Sequence, residues 1–263
     1  MAGLSARFRL RKWYLDCVSD EGTAFVGYAG RVRLGPLPLS YQGSLVSMPD
    51  EPATGRFTML PARMPDLTEG EVTWRNRRLA VRGSWRRLSA ATERVLSDDG
   101  EVRVVWRCFA PACHARVTIR GASIEGPGYA EVLEVSGPPA RLPIDELRWG
   151  RFVSGAAHLV WIDWRGEKAL RLVLADGAFV RASRVDREVV ESDAGTLAMT
   201  EHRALRTGTV EGAVFGPSSP LARLLPAGVG GWIEEKWVSR AFLARAGAAP
   251  LEGWAIHERV RLR

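Results

Sequence analysis

The sequence predicts an all-β protein of the sandwich or barrel kind, divided into two similar domains, and three observations predict it. Short runs of alternating apolar and polar residues fill most of the chain, which is the period of a strand wet on one face. Glycine- and aspartate-bearing turns separate these runs at regular intervals. Helical spacing is nearly absent, and Pro220–Leu225 is the one short stretch where it fits.

Taken in order, Phe8–Val18, Ala24–Leu34 and Leu39–Val46 form a meander, with turns at Ser19–Gly22 and Gly35–Pro38. Met48–Asp66 is proline-rich and reads as a long loop or strand crossing. Glu71–Leu88 gives two short strands around Asn76-Arg77, and Ala91–Arg120 gives three more, with Asp98-Asp99-Gly100 as a hairpin turn. A strand from Gly128 to Val135 follows. Glu167–Ala175 and Ala178–Glu191 pair about Asp176-Gly177, and Thr196–Val214 adds one or two strands broken near Thr207-Gly208. Gly231–Ala244 and Gly253–Leu262 close the chain.

The two halves echo one another. Trp13-Tyr14-Leu15-Asp16 resembles Trp161-Ile162-Asp163-Trp164, and Gly128-Tyr129-Ala130-Glu131 resembles Gly231-Trp232-Ile233-Glu234. A duplicated domain with its boundary between residues 121 and 156 produces such an echo, which divides the chain into 1–140 and 141–263.

At 263 residues, 46% hydrophobic and 25% charged, the chain has an ordinary globular composition with enough apolar residues for real cores. Its net charge is +7, yet only Lys12, Lys168 and Lys236 are lysine, and the arginines are scattered through alternating strands. That pattern is a solvated strand face, so no nucleic-acid partner is expected. Cys17, Cys108 and Cys113 are an odd number without a signal-peptide pattern ahead of them, which predicts a reduced, cytoplasmic setting. Cys108, Cys113 and His114 have the wrong spacing for zinc, so no metal is expected. No run reaches the ~20 apolar residues of a membrane span, which limits lipid contact to the periphery. Gly126-Pro127-Gly128 precedes a strand, where a dinucleotide fingerprint opens a helix, so no nucleotide cofactor is expected. The histidines His114, His158, His202 and His257 are dispersed, with no catalytic grouping in the order of the sequence.

The chemistry-bearing pattern is an aromatic followed two places on by an acid, at Tyr14-Asp16, Tyr129-Glu131, Trp161-Asp163 and Trp232-Glu234. On a strand, that spacing puts both side chains on one face. Inside a barrel, burial would raise the carboxyl pKa and the ring would stabilise a cation, a pairing suited to protonating an alkene. The plainer reading pairs such acids with arginines, of which Arg148, Arg151 and Arg165 are at hand. Glu131 is the leading proton donor, because Tyr129, Leu133 and Val135 share its face, and Asp163 or Arg148 would orient it. Tyr129, Trp149, Trp161, Trp164 and Trp232 are the candidate ligand-stacking rings.

Trp13-Tyr14-Leu15-Asp16 leading into Ser19-Asp20-Glu21-Gly22 resembles the opening motif of the lipocalin-like superfamily of carotenoid 1,2-hydratase (hydroxyneurosporene synthase), tocopherol cyclase and the double-barrel Diels-Alderases. Gly126–Glu131 resembles that group's later G-x-G-Y-x-[DE] segment. The Trp161–Trp164 stretch with the Asp176-Gly177 hairpin resembles its W-x-W strand. The hydratases' D-H-N-W continuation is replaced here by Glu131-Val-Leu-Glu134. The resemblance implies two lipocalin-like antiparallel β-barrel or half-barrel domains packed together. It also implies a hydrophobic, isoprenoid or polyketide-like ligand, handled without a cofactor by acid-assisted hydration, cyclisation or isomerisation. A non-catalytic lipocalin-like carrier is the alternative.

Overall fold

The computed structural model describes residues 8–61, 63–209 and 231–262, and nearly all of them lie in strands or tight turns. The chain divides into two compact units, one ending at Leu142 and the other beginning at Pro143. No helix among the described residues is long and apolar enough to cross a membrane. The candidate helix Pro220–Leu225 lies outside the described residues.

The first unit holds β1 (Phe8–Val18), β2 (Ala24–Leu34), β3 (Leu37–Ser47), β4 (Thr54–Thr58), β5 (Asp66–Thr68), β6 (Glu71–Asn76), β7 (Val81–Arg87), β8 (Thr92–Asp98), β9 (Arg103–Ile119) and β10 (Ala122–Ser136). They form one antiparallel sheet in the order β4-β3-β2-β1-β10-β9-β7-β6-β5, with β8 on β9. The second unit holds β11 (Glu146–Val153), β12 (His158–Arg165), β13 (Leu170–Ala175), β14 (Ala178–Val180), β15 (Ala182–Val185), β16 (Val189–Ser192), β17 (Gly195–Thr209), β18 (Ile233–Ala244) and β19 (Leu251–Arg261). Their order is β14-β13-β12-β11-β19-β18-β17-β16-β15.

Both sheets follow one plan. The first strand of each unit pairs with the last, which leaves the meander's interior strands at the sheet ends. The sequence echoes do not map onto this plan: Trp13–Asp16 sits on the first strand of its unit, whereas Trp161–Asp163 sits on the second strand of its own. The repetition lies in strand order and the residue matches fall on non-equivalent strands.

Alternation puts Trp13, Leu15, Cys17, Phe25, Trp74, Trp85, Ala130 and Val132 in the core of the first unit. Phe152, Leu159, Trp161, Val173, Met199, Ala241 and Ala255 form the core of the second. All three cysteines are free and buried.

Several elements differ from their sequence reading. The proposed three strands over Ala91–Arg120 are two, because β9 runs unbroken for 17 residues and absorbs the irregularity as a bulge near Phe109. Met48–Asp66 contains the short strand β4 rather than loop alone. Ala178–Glu191 is three short strands, not one, and β17 continues through Thr207-Gly208 without a break. Gly126-Pro127-Gly128 lies within β10: a Cβ on Gly126 would stand 2.2 Å from the Val18 carbonyl and one on Gly128 2.5 Å from that of Asp16. These glycines permit close approach of β1, a backbone role that the strand needs.

Candidate functional site

The four acids of the aromatic-x-acid pattern are all buried: Asp16 at 0%, Glu131 at 8%, Asp163 at 1% and Glu234 at 6% exposure. Their surroundings separate them. Asp163 binds Arg165 Nε at 2.8 Å and Arg171 Nε at 2.9 Å. Glu234 meets Arg206 and Lys236. Both therefore fit the plainer reading of paired acids. Glu131 has neutral donors on one oxygen: the Tyr129 hydroxyl and the Trp106 indole N–H both donate to Oε2.

Register places Glu131 opposite Tyr14 on β1 and opposite Cys108 on β9, so these side chains share one face. Tyr14 stands edge-on to Tyr28 and to Tyr129, with centroids 5.6 and 6.1 Å apart. Burial pushes the Tyr129 phenol well above its ordinary pKa, helped by Cys108 and Glu131, which keeps it a proton donor. Burial raises the Cys108 thiol likewise. This face is the opposite one from Trp13, Ala130 and Val132, so Glu131 does not point into the core of its own barrel, as the sequence reading supposed.

Arg148 and Asp163 make their bonds in the second unit. They stand opposite one another on β11 and β12, with Arg171 beyond on β13. Arg148 donates to Glu146 and Asp186 and to the Val185 carbonyl, which also accepts from Arg165, while Arg171 donates to the Ser183 carbonyl. Carbonyls of β15, at one end of the sheet order, are thus tied to arginines of β11, β12 and β13 nearer the other. These contacts hold the barrel together as it curls.

Above this charge cluster, on the core face, Arg148, Trp161, Asp186, Arg187, Trp237 and His257 line a small, partly open cleft. Trp161 is there because Gly150, its partner across β11 and β12, leaves room for the indole. Trp237 faces His257 across β18 and β19, their rings 5.3 Å apart, and the Arg187 guanidinium lies 4.8 Å over the Trp237 ring.

His257 is 3% exposed, and its Nε2 lies 2.9 Å from Ser239 Oγ, which in turn lies 2.7 Å from His202 Nδ1. A bulge in β17 makes this possible. Thr200 pairs with Arg240 and Arg203 with Val238, so Glu201 and His202 together oppose Ser239, and Glu201 takes φ 51°. An unbulged strand would aim Glu201 at Ser239 instead. Burial lowers the His257 pKa to about 3, with His202, Arg187 and Lys236 adding repulsion, so the imidazole is neutral. His202, half-buried, is lowered by burial and by Arg187. If Ser239 donates to His257 and His202 donates to Ser239, a proton taken up at His202 can pass through the hydroxyl to His257. The sequence holds no signal for this trio, because alternation alone mispredicts where His202 points.

Of the predicted rings, Trp161 lines this cleft. Trp149 and Trp164 are buried on the opposite face of β11 and β12, Trp149 with Lys236 Nζ 5.6 Å from its ring centroid. Trp232 is half-buried just ahead of β18. Tyr129 stays with Glu131 in the first unit.

Three solved structures resemble the chain over nearly its whole length. CghA, solved with Sch210972, matches with TM-score 0.55 and 12% identity, covering 97% of this chain and 89% of that one. A candidate AttH from Nitrosomonas europaea matches with TM-score 0.55 and 10% identity over 95% and 92%. Kievitone hydratase from Nectria haematococca matches with TM-score 0.52 and 9% identity over 98% and 90%. The chain has the two-barrel lipocalin-like fold. At these identities the likeness establishes the fold expected from the sequence motifs, and nothing of the ligand. No protein-family model and no curated protein matches the sequence.

Proposed function

We propose that the chain binds a hydrophobic small molecule in the cleft of its second barrel and moves a proton on it without a cofactor, in a hydration, cyclisation or isomerisation. The observation that carries this reading is the neutral, buried His257 on the cleft wall, connected through Ser239 to the half-buried His202. Trp161 gives the cleft an apolar wall, and Trp237 already carries the Arg187 guanidinium over its ring, a setting that suits a cation. The cleft is small and open on one side, so a ligand would enter it with one end and leave the rest of its body outside. Arg148 would fix a polar end of that ligand, and Asp163 would hold the arginines around it.

Support of a general kind comes from two-barrel neighbours, one of them named a hydratase. The test is incubation of the full chain with a compact isoprenoid alcohol, linalool, in heavy water, followed by extraction and mass analysis. Deuterium entering carbon-bound positions, and falling about tenfold or more in His257→Asn and Ser239→Ala, is the expected result. Linalool bound but returned without deuterium would mean a carrier instead.

A second reading keeps Glu131 as the proton donor. It is favoured by the two neutral donors on Glu131 Oε2, which leave Tyr129 and Trp106 to orient the acid. Turnover lost in Glu131→Gln and retained in His257→Asn would select this reading over the first.

A further inference from the structure

Among the described residues, the interior of the first barrel is mostly apolar, with polar side chains contributed by two strands that are not neighbours in the sheet. Gln42 and Ser44 point inward from β3, and Trp74 and Asn76 point inward from β6; none of the four is more than 2% exposed. The strands meet across the interior, where Asn76 Nδ2 donates to Gln42 Oε1.

The orientation of that pair follows from the turn after β6. Asn76 Oδ1 accepts the backbone N–H groups of Arg78 and Leu79 at 2.9 and 3.0 Å, so its amide nitrogen is the end turned toward Gln42. Gln42 must then present its oxygen to Asn76, which leaves its own NH2 to face elsewhere. Gln42 Nε2, Ser44 Oγ and Trp74 Nε1 are each buried without a hydrogen-bond partner among the described residues. All three side chains face the interior of the first barrel. Gly27 stands opposite Ser44 on β2, and a Cβ there would lie 2.7 Å from the Trp74 ring, so the indole packs over the backbone beside Ser44.

All three groups can donate, and a buried donor without an acceptor is costly. Several together in one barrel interior imply an oxygen that the described residues do not supply. The described core residues around it, Phe25, Ala29, Val46 and Trp13 among them, are apolar. A carboxylate would be poorly compensated there.

We propose that these donors receive the uncharged carbonyl oxygen of an otherwise apolar guest held inside the first barrel. Gln42 and Trp74 give N–H donors and Ser44 gives a hydroxyl. The site is separate from the cleft of the second barrel and stands or falls without it.

The lipophilic ketone dye prodan tests the proposal, because its emission moves to the red when its carbonyl accepts hydrogen bonds. The hydrocarbon dye diphenylhexatriene, which has no acceptor, is the control. The full chain is expected to bind one prodan with emission to the red of that in hydrocarbon solvent. Ser44→Ala, which removes only an unpartnered hydroxyl, should weaken prodan binding about tenfold and shift its emission to the blue. Gln42→Met should do the same, and diphenylhexatriene should respond to neither change. The unshifted near-ultraviolet circular dichroism of Ser44→Ala would show that the barrel is intact. Prodan binding unchanged in both variants, or absent in the wild type, would overturn the proposal and leave ordered water as the partner of these donors.

Discussion

The hydroxyl of Tyr129 donates to the carboxyl of Glu131, two residues along the same strand, and the same oxygen takes the indole N–H of Trp106. A phenol in that position is held protonated, first by burial and then by the charges of Cys108 and Glu131. In an alkaline titration followed by tyrosinate absorbance, the step missing from Tyr129→Phe should lie well above the ordinary tyrosine value. Glu131→Gln should bring that step down without restoring the ordinary value, because burial, the larger cause, remains. A Tyr129 that ionises at the ordinary tyrosine value would contradict the geometry.

Gly150 is crowded from both sides. A Cβ there would lie 2.2 Å from Trp161 Cζ2 and 2.7 Å from His257 Cβ, and those residues are its two partners across the sheet. Gly150→Ala must therefore displace the Trp161 indole or the backbone, at a cost of about 1–3 kcal/mol. It should also blunt any quenching of tryptophan fluorescence by a ligand in the cleft. Unchanged stability and unchanged quenching would mean that Trp161 does not depend on that gap.

Much of the fold was legible because strands announce themselves. The ends of β1 and β2 were readable from alternation and from the turn residues between them, and Asp176-Gly177 adopts positive φ at both positions, as its hairpin requires. Arg165, one of three arginines at hand for the inward acids, pairs with Asp163 two places away on the same face. What could not be read was whatever breaks the period of two. The bulge at Glu201 and His202 turns a histidine toward Ser239 that alternation assigns to the other face. Which face of β10 is the core also escaped, because both are buried and both are mostly apolar. Glu131 was accordingly placed inside its barrel, whereas Ala130 and Val132 occupy that side.

Acids paired with exposed cations and with a buried one should respond differently to neutralisation. Asp163 is buried, but its partners Arg165 and Arg171 are 37% and 35% exposed and can turn to water when released. Asp163→Asn should therefore cost only about 1–3 kcal/mol. Lys236 is 0% exposed between Glu258 and Glu234. Glu258→Gln leaves that ammonium buried with one contact fewer, and should cost toward 3–5 kcal/mol. Urea unfolding midpoints compare them directly, and an Asp163→Asn loss as large as that of Glu258→Gln would show that the arginines are not free to move.

His257 makes stability depend on acidity with a definite sign. Burial holds its folded pKa to about 3, with repulsion from His202, Arg187 and Lys236 around it, while the unfolded chain has the ordinary histidine value near 6.5. Between those two values the unfolded state binds the proton and the folded state does not, so stability falls as pH falls through this window. The loss approaches one proton's slope, roughly 1.4 kcal/mol per pH unit, and levels off below about pH 3 for this group. His202 and His158, also lowered first by burial, steepen the upper part of the decline. His257→Asn should reduce the slope by about one proton's share, measured as urea unfolding free energy at a series of pH values. A variant that kept the full slope would mean that the ring is charged in the folded state, and with it would go the neutral imidazole on which proton transfer in the cleft depends.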